Sequence, residues 1–118
     1  MLTKMLKGKI HRATVTGAYM DYPGSIGIDS KLLEASGILP YEAVKVLDVT
    51  NGARLETYAV PQEPGSGKII ILGAAAHLIK KGDIVIIMSF GYLTDEDIKS
   101  LKPRVVIVNE KNGIKEIL

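Results

Sequence analysis

The sequence predicts a small, mainly β domain, best described as a β-barrel decorated with short helices. About seven strand-sized apolar segments follow one another through the 118 residues, while the helical segments are few and span about two turns each. A parallel sheet of βαβ units would need a long helix between successive strands, so this class is disfavoured. No segment recurs with a period of about 20–50 residues, which argues against a repeat architecture.

The strands are predicted from β-branched and apolar segments bounded by turn residues. Alternation is imperfect in the first, where Lys9, His11 and Ala13 would share one face. Asn51-Gly52 predicts a hairpin with a type I′ turn, because both central residues of that turn have positive φ. Lys68–Leu72 is almost wholly apolar, as expected of a strand buried on both faces. In chain order the predicted strands are Lys9–Met20, Ile26–Ile28, Ala43–Val49, Arg54–Val60, Lys68–Leu72, Asp83–Phe90 and Arg104–Asn109.

The helices are predicted from their capping residues. Asp29 or Ser30 can accept the first free N–H groups of a helix, and Gly37 suits the left-handed position after its last turn. Thr94 with Asp97 resembles a capping box at the start of another helix. The predicted helical segments are 30–36, a short stretch that follows 73–77 and stops near 82, and 95–101. We expect a flexible loop over 61–67 and a C-terminal tail from 111 that is loose or paired at a sheet edge.

Composition is that of an ordinary globular protein. Hydrophobic residues make up 47% and charged residues 24%, and the formal net charge is +2, which is too small to predict a nucleic-acid partner. The absence of cysteine excludes disulfides, thiolate metal sites and a cysteine nucleophile. No signal-like or membrane-spanning apolar segment is found, so we expect a cytoplasmic protein without a membrane partner. Two isolated histidines predict no metal site.

The central motif is Tyr22-Pro23-Gly24-Ser25, whose Gly24–Ser25 peptide bond we interpret as a site of self-cleavage. Proline fixes its own φ and glycine adopts conformations closed to other residues, so the pair suits a turn that presents the next carbonyl. Ser25 Oγ could attack that carbonyl and move the acyl group from nitrogen to oxygen. Elimination and loss of ammonia would then leave a pyruvoyl group. Pro64-Gly65-Ser66 repeats the tripeptide, so the motif alone equally fits an ordinary turn.

Polar side chains on two predicted strands could form a site. Arg54 and Tyr58 are four residues apart and share a strand face. A guanidinium can hold a carboxylate through two hydrogen bonds, and a phenol can donate a proton. Thr57 has the opposite parity and is expected to point away unless a bulge re-aims it. Lys9 and His11 likewise share a face, and both sets equally fit a solvated strand.

Small residues at a strand-to-helix junction, Gly73-Ala74-Ala75-Ala76, offer free N–H groups without side-chain bulk. Such a junction could receive an anion or a substrate, or serve only close packing. Gly65-Ser66-Gly67-Lys68 resembles the end of a phosphate-binding loop, but Gln62 replaces the upstream glycine and Ile69 the required Ser or Thr. A phosphate-binding loop is therefore rejected.

Together these segments resemble the pyruvoyl-dependent aspartate 1-decarboxylases, small bacterial enzymes that make β-alanine for pantothenate. The resemblance covers nearly the whole chain in order, and it separates Ser25 from Ser66, because the family has no processing site in the second loop. The residues that carry it are Met5-Leu6, Gly8-Lys9, His11-Arg12, Tyr22, Gly24-Ser25, Ile28-Asp29, Ala35, Gly37-Ile38-Leu39, Glu42-Ala43, Val49-Thr50-Asn51-Gly52, Arg54, Thr57-Tyr58-Ala59, Gly73–His77 and Gly82–Ile87.

The resemblance implies one domain over residues 1–118 with the fold of a six-stranded double-psi β-barrel, assembled as a homotetramer with sites at subunit interfaces. Self-cleavage would give residues 1–24 as the β chain and 25–118 as the α chain, whose covalent pyruvoyl group is the cofactor. L-Aspartate would form a Schiff base with this group and lose CO₂ to give β-alanine. Neither a metal nor a nucleic acid takes part.

The resemblance also implies residue roles. Thr57 would assist processing, which conflicts with its strand parity, and Tyr58 would donate a proton during turnover. Lys9, Arg54, Thr57, Gly73, Ala74 and Ala75 would bind substrate, and His11, Tyr22 and Ala76 would support the site. Two positions depart from the family: Leu72, where asparagine is frequent, and Leu47, where some relatives carry tryptophan.

Two alternatives remain open. An N-terminal-serine amidohydrolase would share the cut but keep Ser25 intact as its nucleophile. A non-enzymatic, DNA-binding β-barrel would use Gly24-Ser25 only as a turn and would bind DNA with a steep salt dependence.

Overall fold

Nine strands and two α-helices make up the computed structural model, which describes residues 1–118. The mainly β class is therefore confirmed, although the chain has more strands than predicted, because the first predicted strand is divided and the tail forms a ninth. The strands are β1 Thr3–Thr14, β2 Gly17–Tyr19, β3 Ser25–Asp29, β4 Ala43–Asp48, β5 Arg54–Gln62, β6 Ile69–Leu72, β7 Ile84–Leu93, β8 Arg104–Val108 and β9 Ile114–Ile117. The helices are α1 Ser30–Ser36 and α2 Asp95–Ser100, with a 3₁₀ helix over Gly73–His77.

All nine strands belong to one sheet in the order β2-β6-β3-β5-β4-β7-β1-β8-β9. The pairs β1–β8, β2–β6 and β3–β5 are parallel and the other pairs antiparallel. The order is open and ends on β2 and β9. The strands therefore do not form the closed sheet that a six-stranded double-psi barrel would have.

A bulge interrupts the alternation of β1. Arg12 has a φ of 64°, and the pairing with β7 shifts between Ile10 and Ala13. Ile10 and Ala13 are consequently both fully buried in the core. The expectation that Ala13 shares a face with Lys9 and His11 is wrong, because a bulge reverses the parity of the residues after it.

The β4–β5 hairpin turns through a five-residue loop over 49–53. Gly52 has a φ of 80°, whereas Asn51 has no positive φ. The Asp48 carboxylate accepts the N–H groups of Thr50 and Asn51 at 2.7 and 3.2 Å, and Gly52 N–H donates to the Asp48 carbonyl at 2.7 Å. Asp48 therefore stabilises a wider turn, and the type I′ prediction is wrong.

The helix caps follow the sequence closely. Asp29 accepts Lys31 N–H at 2.9 Å at the start of α1, and Gly37 ends that helix with a φ of 73°. Thr94 Oγ1 accepts Asp97 N–H at 3.1 Å at the start of α2. The C-terminal tail forms β9, which pairs with β8 at a sheet edge. This confirms the expectation of an edge-paired tail rather than a loose one. No helix of the chain is both long and apolar enough to cross a membrane.

Candidate active site

A cavity of about 480 Å³ opens where β3 begins. Its volume is within the range of small-molecule sites, about 300–1,000 Å³. Its walls are mostly apolar, and the polar side chains among them are those of Glu56, Thr57 and Tyr58. The cavity is lined by Gly24, Leu55, Glu56, Thr57, Tyr58, Leu72, Ala74, Ala75 and Leu78.

Thr57 and Tyr58 both reach the cavity because it lies at an uncovered edge of β5. One edge of β5 pairs with β4 over residues 54–58 in an unbroken register. The other edge pairs with β3 only from Ala59 onward, so β3 leaves the edge before Ala59 open. Residues of both parities therefore line the cavity. The burial of β5 alternates from Arg54 to Tyr58, so Thr57 keeps the parity expected of it and lines the cavity without any bulge.

Gly24, the residue before Ser25, forms part of the cavity wall. Gly24 lines the cavity, and Ser25 begins β3 opposite Leu72 with 4% of its surface exposed. Gly24 does not have a positive φ, and the nearest atom to a Cβ added there is the Leu72 carbonyl oxygen at 4.0 Å. The structure at Gly24 therefore does not use the conformational freedom that the sequence suggested.

The glycine that geometry requires is Gly73. Its φ is 84°, and an added Cβ would lie 2.7 Å from Gly24 Cα and 2.9 Å from the Tyr22 carbonyl oxygen. Real Cβ atoms do not approach other atoms so closely. The absence of a side chain lets the 3₁₀ helix begin directly against the peptide before Ser25, and this places Ala74 and Ala75 in the cavity wall.

The other residues expected at the site lie outside the cavity lining. Arg54 is on the same face of β5 as Tyr58, but four residues along a strand separate their Cα atoms by about 13 Å. Lys9 lies on β1, which β4 and β7 separate from β5. Ala76 is buried in the core, and Tyr22 is exposed with its ring 6.0 Å from that of Tyr19.

His11 lies beside Lys9 on the face of β1 that points away from the buried Ile10. Its Nδ1 atom is buried without a hydrogen-bond partner. Burial lowers the pKa of His11, and the charges of Lys9 and Arg12 lower it further. The imidazole is therefore held in its neutral form. No three His, Cys, Asp or Glu side chains cluster in a way that could hold a metal ion.

Three cavity residues were not predicted: Leu55, Glu56 and Leu78. The strand spacing could have indicated Glu56, because it lies between Arg54 and Tyr58 on their face. No sequence signal indicates Leu78, whose carbonyl accepts Asn51 Nδ2 at 2.7 Å from the distant β4–β5 hairpin. Leu72, noted as a departure from the family, does line the cavity, whereas Leu47 does not.

Comparison with known proteins shows the family of the chain. The family model described as aspartate decarboxylase matches residues 1–115. An aspartate 1-decarboxylase of Listeria monocytogenes (strain EGD-e) is 54% identical over 118 residues, which are all of this chain and 93% of the relative. Aspartate 1-decarboxylases of Listeria innocua, 53% identical over 100% of this chain and 93% of the relative, and Clostridium beijerinckii, 52% identical over 99% and 94%, also match. On matches that extend over nearly the whole length of both partners, the chain belongs to the aspartate decarboxylase family.

Proposed function

We propose that this chain removes the 1-carboxylate of L-aspartate to give β-alanine and CO₂, a reaction that supplies pantothenate and coenzyme A biosynthesis. The relatives that it matches are named aspartate 1-decarboxylase. The observation that supports the proposal is that Gly24, the residue before Ser25, lines a cavity that Thr57 and Tyr58 also line. A cytoplasmic location is part of this proposal.

Self-cleavage would begin with attack of Ser25 Oγ on the Gly24 carbonyl carbon. The C–N bond breaks, the nitrogen becomes the amine of residue 25, and an ester joins the two segments. Elimination then breaks the Cβ–Oγ bond and releases residues 1–24 with a C-terminal carboxylate. Water replaces ammonia at the remaining enamine, which leaves the pyruvoyl group. Thr57, which lines the same cavity as Gly24, would donate a hydrogen bond to the oxyanion that forms first.

The residues present suit a pyruvoyl group at position 25. β3 is buried along its whole length, so its first residue is held in place, while Gly24 opens onto the cavity. When present, the pyruvoyl group supplies the electron-accepting carbonyl that decarboxylation requires.

Tyr58 would move a proton in this cavity, which it lines. Its side chain is partly exposed at the rim, 37% by area, and its ring centroid lies 6.1 Å from that of Tyr41. The phenol Oη would donate its proton to the carbon that has lost CO₂. The peptide groups of Gly73, Ala74 and Ala75 would position the substrate against the opposite wall.

The substrate is a dicarboxylate, yet the lining of one chain contains an acidic side chain, Glu56, and no cation. Lys9 and Arg54 lie on the same outward face of the sheet, outside the cavity. We therefore assign their carboxylate contacts to a second copy of the chain, in a homotetramer with sites at subunit interfaces. Exposed aromatic side chains near the opening, including Tyr41 and Tyr58, suit such an interface.

The six-stranded double-psi barrel belongs to the same proposal. Within the sheet, the run from β2 to β1 contains seven segments in the order β2-β6-β3-β5-β4-β7-β1. Its two end segments, β2 and β1, are separated by only Val15 and Thr16. Backbone bonds from Thr16 N–H to Ile69 O at 2.8 Å and from Val15 N–H to Asp83 O at 2.9 Å bridge this connection. Counted as one long strand, β1 and β2 would complete a ring of six.

Intact mass under denaturing conditions tests the proposal. We expect two fragments, residues 1–24 and 25–118, with the larger one lighter by one ammonia than its serine-initiated sequence. Incubation with L-aspartate should then yield β-alanine. Fragments with intact serine that hydrolyse amides would favour the N-terminal-serine amidohydrolase. A single uncut chain that binds DNA in a salt-dependent manner would favour the binding module.

A further inference from the structure

The loop between β5 and β6 binds the carboxylate of Asp29, the last residue of β3. Gly65 N–H donates to Oδ1 at 2.9 Å and Gly67 N–H to Oδ2 at 2.8 Å. Lys31 N–H also donates to Oδ1, at 2.9 Å. Both glycines have positive φ, 77° and 70°, which turns their N–H groups toward one anion. Asp29 is 3% exposed, so backbone donors satisfy a buried charge.

The same loop is tied to the end of β1 by Asn112. Asn112 Nδ2 donates to Gly67 O at 2.7 Å and to Thr14 O at 2.8 Å, and its Oδ1 accepts Thr14 N–H at 2.7 Å. Asn112 is 2% exposed and has a φ of 63°, a conformation that asparagine tolerates better than most residues. The Gly65–Gly67 loop therefore links the end of β3 to the end of β1.

Cleavage changes what these contacts must do. Once the Gly24–Ser25 bond is broken, β3 is the free N-terminal segment of the large fragment, and β1 and β2 belong to the small one. Free chain ends fray unless they are tied down. Ser25 and Asp29 are the two ends of one five-residue strand, so an anchor at Asp29 limits the movement of residue 25.

We propose that Asp29 is a positioning residue, which the Gly65–Gly67 loop clamps so that residue 25 stays in the cavity after the cut. Through Asn112 the clamp also keeps the small fragment in register with the large one. This inference rests on the proposed function. The proposal also gives Pro64-Gly65-Ser66 a role, because Gly65 N–H holds the carboxylate at the end of β3, the strand that begins at Ser25 of the first Pro-Gly-Ser. Backbone pairing of Asp29 N–H with Lys68 O at 2.9 Å strengthens the same junction.

The test is Asp29→Asn, measured in cut protein and in an uncut Ser25→Ala background. Asparagine keeps the helix cap, because its oxygen can still accept Lys31 N–H. Its amide nitrogen would face Gly67 N–H, so the clamp loses a hydrogen bond and two donors oppose each other. We expect the loss of Tm to be greater in the cut protein by about 4 °C or more. Amide exchange of Ile26 and Ile28 should accelerate at least tenfold in the cut protein and less in the uncut one.

Thr94→Ala is the matched control. It removes the N-cap of α2, the hydrogen bond from Asp97 N–H at 3.1 Å, and it does not touch β3. We expect it to lower the Tm equally in both backgrounds. An equal loss for Asp29→Asn would overturn the inference, because Asp29 would then be an ordinary helix cap. If the unsubstituted chain were never cut, the proposed function and this role would fall together.

If Asp29→Asn folds in neither background, hydrogen exchange on the unsubstituted cut protein decides. We expect the amides of Ile26, Ile28, Gly65 and Gly67 to exchange at one common slow rate, as a single opening unit. Fast exchange at Ile26 beside slow exchange at Gly65 and Gly67 would show that the clamp does not hold the strand, and would overturn the inference.

Discussion

Gly73 and Gly24 are 49 positions apart in the sequence, yet a Cβ on Gly73 would lie 2.7 Å from Gly24 Cα. This close approach fixes the peptide that precedes Ser25 against the start of the 3₁₀ helix. Both the bond proposed for cleavage and the alanines that line the cavity next to Gly73 depend on it. The contact therefore couples the geometry of the cavity to that of the peptide proposed for cleavage.

Gly73→Ala should stop self-cleavage while Gly24→Ala should not. The added methyl at Gly73 displaces the backbone at Gly24 and forces alanine to a φ of 84°, a strain of about 1–3 kcal/mol. At Gly24 the nearest atom to a new methyl is 4.0 Å away, so the fold tolerates it. The cut fraction by mass and the Tm check both variants. Efficient cleavage of Gly73→Ala would contradict the coupling.

Thr57→Val should keep the fold but slow cleavage by about 10²–10³-fold, the usual effect of losing one oxyanion donor. Valine has nearly the same shape as threonine and removes only the hydroxyl. The measurement is the half-time of conversion of freshly refolded precursor. Thr57→Ser, which restores a hydroxyl, is the control and should process. If the valine variant matured at the normal rate, Thr57 would have no part in processing.

Tyr58→Phe should be cut normally but should lower kcat by about 10²–10⁴-fold, the typical contribution of a positioned acid or base. Tyr41→Phe is the matched control, because its ring lies 6.1 Å from that of Tyr58 but it does not line the cavity. We expect it to retain activity. Equal kcat values for the two variants would remove Tyr58 as the proton donor.

The structure shows which features of this chain a sequence can predict. The caps at Asp29, Gly37 and Thr94 depend on residues a few positions apart, and they are found as predicted. The cavity could not be predicted, because it exists where β3 begins to pair with β5 at Ala59. That register depends on distant segments, and it lets both Thr57 and Tyr58 line the cavity although they have opposite parity in β5.

The bulge at Arg12 and the close approach of Gly73 to Gly24 also depend on distant segments of the chain. Neither leaves a local pattern: the bulge is seen only as poor alternation, and Gly73 only as one glycine in a run of small residues. Arg54 and Lys9 show a different limit. Their chemistry suits a carboxylate, but both residues lie outside the cavity of the single chain, and the sequence indicates the chemistry of a side chain without its place.

Asp48, which is buried, and Asp83, which is half-buried, are neighbouring acidic residues beside the β4–β5 hairpin. Asp48 Oδ2 is buried and has no hydrogen-bond partner. Burial, and next the neighbouring Asp83 carboxylate, raise the pKa of Asp48, whereas the interaction with Asp48 lowers the pKa of Asp83. Lys80 N–H donates to Asp83 Oδ2 at 3.0 Å and its charge favours the ionised form of Asp83. Asp48 therefore keeps its proton to a higher pH than Asp83 does.

Asp48→Asn should stabilise the protein increasingly as the pH rises. A carboxyl whose folded pKa is raised contributes stability that is present below its unfolded pKa and is lost as the pH rises through the folded value. Asparagine keeps the acceptor for the hairpin N–H groups and donates to Asp83 at every pH. Thermal unfolding between about pH 4 and pH 8 should show a gap in Tm that opens toward pH 8. A constant or closing gap would contradict the raised pKa of Asp48.

Arg54 and Tyr58 should act at one site from different subunits. Neither Arg54→Ala nor Tyr58→Phe should be active alone, and Arg54→Ala should still be cut. When equal amounts are unfolded and refolded together, random assembly should restore about a quarter of the sites, those that receive Tyr58 from one copy and Arg54 from another. The checks are β-alanine formation and the subunit composition by native mass spectrometry. Mixed oligomers without restored activity would place both residues in the same chain's site, and they would contradict the assignment of Arg54 to a second copy.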